Sequence, residues 1–136
     1  MRSTPSRSLK LPLLTALLLA AASCVAHALL APRTGDTFAA VVLGALGGVY
    51  LGGALRAGTK RELAVTLVAA VLCVLLAVAG LLGPGWIIPA GFLLHGVWDW
   101  IHHALERRTV GRWWPPFCAL YDAVVGVYLV LAPHLR

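Results

Sequence analysis

Residues 93–103 of the 136-residue chain read LLHGVWDWIHH, three histidines and one aspartate in an otherwise apolar stretch. On an α-helix each residue turns by about 100°, so spacings of three, four and seven return to one side. His95, Asp99 and His102, spaced by four and three, fall within a sector of roughly 60°. His103 borders that sector, and Glu106 extends the row by another four residues. A second acid, Asp122, stands alone in FCALYDAVVGVYL, with Cys118 one turn before it and Tyr121 beside it. Neutral imidazoles and ionised carboxylates form a ligand set suited to a divalent metal, zinc or non-haem iron. His95, Asp99, His102, His103 and Asp122 are the candidate ligands, with Asp99 and Asp122 serving either as ligands or as groups that orient them. The same residues would serve as a proton relay or transport path, since Asp and His in membrane helices carry protons. A third reading is a structural clasp in which acids and imidazoles satisfy one another.

Whether these groups meet depends on the elements that carry them. The chain is 60% hydrophobic and 12% charged, against a usual charged share of roughly 25%. A soluble domain of this length has no way to hide that much apolar surface, so the surrounding solvent is expected to be a bilayer. The net charge of +6 is scattered between apolar runs rather than gathered in a patch, which excludes nucleic acid as a partner. The three cysteines, Cys24, Cys73 and Cys118, each lie inside an apolar run and read as small packing residues, not as a disulfide framework. There is no phosphate-binding loop and no G-x-S-x-G nucleophile motif.

A spanning helix needs about 20 mostly apolar residues. Five stretches meet this: Leu11–Ala31, Thr37–Leu55, Leu63–Leu82, Trp86–Leu105 and Trp114–Ala132. Only Gly83-Pro84-Gly85 separates the third from the fourth, a tight turn that forces an antiparallel pair. Arg2, Arg7, Lys10, Arg56, Lys60, Arg61, Arg107, Arg108 and Arg112 fall on one side; Arg33 and Arg136 fall on the other. Basic residues crowd cytoplasmic loops, which places the N-terminus inside. The expectation is a single all-α domain over residues 1–136, a polytopic bundle in a bacterial inner membrane. The first span also resembles a secretory signal, with Ala26-His27-Ala28 as an A-x-A site. Its apolar run continues to Ala31, which favours a retained helix; removal would leave four spans in the same orientation.

The second span contains LGALGGVYLGG, in which Gly44, Gly48 and Gly52 recur every four residues. Such a row lets another backbone approach closely, and it is expected to be a packing seam within the monomer or between monomers of a homo-oligomer. His27 reads as an interfacial histidine near the outer end of the first span.

A depth argument joins the last two spans. At about 1.5 Å per residue, Asp99 lies about 9 Å and His95 about 15 Å above the inner end of its helix, and Asp122 about 13 Å above Trp113. A short loop makes the two helices antiparallel neighbours, so one composite site between them is expected.

Asp99-x-x-His102-His103 resembles the H-x-x-H-H box of membrane di-iron hydroxylases and desaturases, with aspartate in place of the first histidine. That chemistry uses several such boxes, whereas this chain has five histidines in all and a single box, which argues against full desaturase chemistry. A closer resemblance is to a group of small bacterial integral-membrane proteins of unknown function. It is carried by His95-Gly96-x-Trp98-Asp99-x-x-His102-His103 and Pro116-x-Cys118-x-x-Tyr121-Asp122, and implies a shared polar site without an established activity. The resulting expectation is a divalent metal site supporting oxidation or hydrolysis of a lipid-soluble substrate. The alternatives are a small transporter or proton-relay subunit, and a structural membrane partner.

Overall fold

The computed structural model describes residues 9–105 and 110–132. Glu106 and the basic residues Arg2, Arg7, Arg107, Arg108 and Arg136, all used in the sequence reading, lie outside these ranges. Among the described residues there are five α-helices and no strand: α1 (Lys10–Leu29), α2 (Pro32–Ala57), α3 (Lys60–Leu82), α4 (Ile87–Ala104) and α5 (Trp114–Leu131).

Local chemistry sets their ends. The helix α2 begins five residues before the apolar run that marks it in sequence, because Pro32 at its start already has the helical φ and has no N–H to leave unpaired. Gly58 and Thr59 alone separate α2 from α3. Thr59 Oγ1 accepts from the Glu62 N–H at 3.2 Å, and Glu62 Oε2 accepts from the Thr59 N–H at 2.8 Å, a reciprocal cap that starts α3 sharply. Gly58 donates to the Ala54 carbonyl, and a Cβ there would stand 2.7 Å from that oxygen, so only glycine fits the turn. Pro115 and Pro116 occupy the first turn of α5, where a missing N–H costs little.

The closest pairings are α2 with α3 and α4 with α5, and α1 docks mainly on α5. Each of three helices carries a buried row at alternating spacings of three and four: Ile88, Phe92, His95, Asp99 and His102 on α4; Leu43, Gly47, Tyr50 and Ala54 on α2; and Cys118, Asp122, Val125 and Leu129 on α5, continued by Ala132 at its C-cap. An average repeat of 3.5 is the period that keeps one seam facing a neighbour along a left-handed bundle. Below, the end holding the α1–α2 and α3–α4 connections is called upper, and the end holding the α2–α3 turn lower. Leu43, Ile88, Phe92, Val125 and Leu129 form an apolar core toward the upper end. His95 and Asp99 follow Phe92 down the buried row of α4.

The glycine row requires a correction as a seam within the chain. A Cβ at Gly48 or Gly52 would meet nothing within 4 Å, and one at Gly44 only a Val74 methyl at 3.9 Å. The close approach is at Gly47 instead, where a Cβ would stand 2.8 Å from Ala70 Cα on α3 and 3.1 Å from Cys73 Cβ. The seam is therefore rotated away from the repeat visible in sequence, and Gly48 and Gly52 face outward.

The outer surface is oily. Leu11, Leu14 and Leu18 on α1, Val68, Leu72 and Leu75 on α3, and Val127 and Val130 on α5 are all exposed. The helices α1, α2, α3 and α5 are long and apolar enough to cross a membrane. The helix α4 falls outside that set; its 18 residues include His95, Asp99, His102 and His103. It compensates by burying its polar row against the other helices. Gly80 of α3 abuts Ile88, Gly91 abuts Leu43 of α2, and Gly126 of α5 abuts Leu93 and Phe92; at each of these glycines a methyl would collide with its neighbour.

Candidate functional site

Gly96 decides how near α4 and α5 come. A Cβ on it would stand 3.3 Å from the Asp122 Cβ and 3.5 Å from the Ala119 carbonyl oxygen, so its lack of a side chain lets the two backbones close on each other. The preceding residue, His95, then reaches across: its Nδ1 lies 2.8 Å from Asp122 Oδ2. One turn on, Asp99 Oδ2 is 3.3 Å from the same nitrogen. One ligand atom from each of His95, Asp99 and Asp122 lies within 4.8 Å of the others. Both carboxylates are completely buried and His95 is 5% exposed.

A fourth residue closes the cluster. Tyr50, buried on α2, donates its hydroxyl to Asp99 Oδ1 at 2.5 Å. Tyr50 went unrecognised in the sequence, where glycines dominated the reading of its segment. A usable signal was present: Tyr50 lies six residues before Arg56, about 9 Å from the basic end of its helix, the same depth as Asp99.

The remaining predicted ligands lie elsewhere. His102 is buried one turn further down α4, with Nδ1 3.1 Å from the Trp98 carbonyl oxygen. Its ring packs against Tyr50 at 4.7 Å and Trp98 at 4.4 Å between centroids, so it supports the tyrosine and does not join the three converging groups. His103 is half-buried beside Trp100 at 5.9 Å. Cys118 is a buried free thiol on the same face of α5 as Asp122.

Charge is the unusual property of the cluster. Two carboxylates sit in the interior, and among the described residues no Lys or Arg is buried to balance them. The single Nδ1 position serves both acids. Asp99 Oδ2 and Asp122 Oδ1 are buried and receive no hydrogen bond among the described residues. Removing an ionised group from water costs several kcal/mol unless it is paired, and one imidazole cannot neutralise two carboxylates. A divalent cation would balance two carboxylates and a neutral imidazole completely. Ligand atoms about 2.1 Å from zinc at the tetrahedral angle stand about 3.4 Å apart; the 3.3 Å between His95 Nδ1 and Asp99 Oδ2 is close to this, whereas the 2.8 Å to Asp122 Oδ2 is a hydrogen-bond length that a bound ion would open.

A second polar group lies toward the upper end. His27 on α1, 4% exposed, faces Tyr128 of α5 with Nδ1 3.2 Å from the hydroxyl, and its Nε2 is 3.6 Å from Asp36 Oδ1 on α2. Ser23, one turn before His27, pairs with the Tyr121 hydroxyl at 2.8 Å. Gly35 leaves room for the His27 ring, since a Cβ there would stand 3.2 Å from the imidazole carbon. In sequence His27 looked like a lone interfacial histidine; its partners are nine residues on, on the next helix, and 101 residues away, which no helical spacing connects.

The chain belongs to a family of unknown function, DUF6010, whose model matches residues 11–134. No curated protein matches it. No solved structure matches it either.

Proposed function

We propose that this chain is a five-span protein of a bacterial inner membrane, N-terminus on the cytoplasmic side, whose His95–Asp99–Asp122 centre binds a divalent metal, zinc or iron. The observation that carries this reading is the converging pair of fully buried carboxylates with an imidazole between them and no buried cationic side chain among the described residues. The membrane reading rests on four helices of spanning length and apolarity, with the polar row of α4 buried against them and its other side exposing Leu94, Val97 and Trp100. The basic residues at the lower end supply the orientation.

In this reading His95, Asp99 and Asp122 are the ligands. Tyr50 holds one oxygen of Asp99 and turns the other toward the centre, the kind of outer support that fixes a ligand's direction. His102 packs on the Tyr50 ring and acts through it; His103 stands aside. Three protein ligands leave a coordination position for water or substrate, and a bound divalent metal would supply Lewis acidity for hydrolysis, or redox chemistry for oxidation, of a lipid-soluble molecule. The outward Gly48 and Gly52 offer a smooth strip on which a second copy of α2 would pack, making a homo-oligomer.

Metal analysis of detergent-purified protein tests the central claim. About one divalent ion per chain is expected in the wild type, lost in His95→Ala and Asp122→Asn. Equal, substoichiometric metal in all three proteins would remove the reading and leave the His95–Asp122 hydrogen bond as a structural clasp. Reporter fusions after Ala31, Gly58 and Pro84 test the orientation.

A further inference from the structure

Where α3 begins and α4 ends, at the lower end of the bundle, the two helices leave a cavity of about 110 Å³ between them. At about 30 Å³ per water molecule it holds roughly four waters, room for a short chain of about as many heavy atoms. Its outward walls are apolar: Val65, Ile101 and Leu105 are all exposed, and in a bilayer such faces meet acyl chains. Among its described lining residues Arg61 is the single Lys or Arg and Glu62 the single carboxylate.

The polar side of the cavity consists largely of acceptors. Thr66, buried, donates its one hydroxyl proton to the Glu62 carbonyl oxygen at 2.8 Å, so toward a ligand its oxygen can only accept. His102, also buried, has Nδ1 3.1 Å from the Trp98 carbonyl oxygen. That nitrogen must donate, which makes the other nitrogen of the neutral ring an acceptor. The ionised Glu62 side chain is acceptor-only, as it already is toward the Thr59 N–H and hydroxyl. Arg61, exposed, stands at the rim. Three acceptors and one negative charge call for a cation rich in N–H groups, and the adjacent guanidinium for an anion tethered to it. A primary ammonium two carbons from a phosphate has both, and its N–C–C–O reach matches the room available.

We propose that this cavity binds the headgroup of a phosphatidylethanolamine lipid from the leaflet at the lower end. The ammonium donates to Glu62, Thr66 and His102, the phosphate pairs with Arg61 at the rim, and the acyl chains lie over Val65, Ile101 and Leu105. A choline head carries the same charges without an N–H, and a glycerol head brings no cation for Glu62, so the site selects the amine. The proposal rests on the membrane part of the reading above and is independent of the metal.

Competition among headgroups tests it. Full-length protein in detergent is mixed with equal amounts of phosphatidylethanolamine, its N-methyl and N,N-dimethyl derivatives, phosphatidylcholine and phosphatidylglycerol of matched chains, and retained lipid is counted by native mass spectrometry. One phosphatidylethanolamine per chain is expected, preferred about tenfold over phosphatidylcholine, the size of one lost charge-assisted hydrogen bond, with the methylated heads in between. Glu62→Gln keeps the helix cap, since glutamine serves there equally, and is expected to erase the preference; Arg61→Gln weakens all five lipids alike. Equal retention of ethanolamine and choline heads, or no retained lipid, overturns the proposal. So does a preference for phosphatidylglycerol, which would make the lower end a basic surface for anionic lipid. Water-soluble phosphoethanolamine bound as tightly as the lipid would move the ligand from bilayer to solution and overturn the lipid assignment. A folded Glu62→Gln that keeps the preference overturns it too; if that variant fails to fold, the methylation series on the wild type decides alone, because it alters only the ligand. None of these readouts depends on chain orientation or bound metal, so the reporter fusions and the metal analysis stand or fall separately.

Discussion

Two histidine–aspartate groups occupy this bundle, built from the same side chains and held in different surroundings. At the centre, His95 lies between Asp99 and Asp122, and both carboxylates are shut off from solvent. At the upper end, His27 faces Asp36 across 3.6 Å, but the acid is more than half exposed. Each group includes a tyrosine hydroxyl: Tyr50 donates to Asp99, and Tyr128 pairs with His27. The difference is the access of water, and water decides what an ion pair is worth. An exposed pair contributes little because solvent screens it and would solvate either partner alone. A buried pair is costly to assemble and more costly to break, since the survivor keeps its charge without its partner. The centre is therefore where this fold stores unbalanced electrostatics, and the upper group is where solvent screens them.

Four substitutions test that contrast, in descending order of effect. His95→Ala leaves Asp99 and Asp122 buried together without the imidazole they share; a loss of about 3–5 kcal/mol is expected in unfolding from detergent, and a loss near zero would show that the cluster is hydrated. Tyr50→Phe keeps the ring packing but removes a donor to a buried carboxylate. Destabilisation of about 1.5–3 kcal/mol should accompany it, with metal affinity weakened by about 10–100-fold; unchanged affinity in a titration would strip Tyr50 of its supporting role. Tyr128→Phe removes the matching hydroxyl at the upper end, and thermal melts should register about 0.5–1.5 kcal/mol. If it proves as damaging as Tyr50→Phe, the two groups do not differ in the way described. Asp36→Asn is expected to leave stability within about 0.5 kcal/mol of wild type, with any residual difference vanishing at high salt. A large stability loss from this exposed position would contradict the contrast outright.

How far the sequence reached differs between these regions. The depth count put His95, Asp99 and Asp122 at similar levels because rise and turn per residue are local properties that no neighbour alters. The same count applied to Tyr50 would have added it, but the surrounding glycines drew the reading toward packing. His102 shares the face of His95 and Asp99, yet its ring packs on Tyr50 and it lies outside the group formed by His95, Asp99 and Asp122; face alone does not specify reach. The upper group was unreadable, since His27 and Tyr128 come from the first and last helices and meet only through the docking of α1 on α5.

Hydropathy, helix caps and prolines are chain-local, so the sequence by itself determined that there are five helices in the described residues, nearly where they begin and end, and that their outer surfaces are oily. It also determined that one helix would carry an imidazole and an acid on a single face. Only the tertiary structure decided how each helix is rotated about its own axis. On α2, Gly48 and Gly47 are equally small, yet Gly47 meets Ala70 and Cys73 while Gly48 faces outward. In water the apolar face of a helix would announce which side turns inward. Where the surroundings are as apolar as the core, that contrast disappears, and the choice falls to close packing and to a few polar contacts that only assembled helices can make.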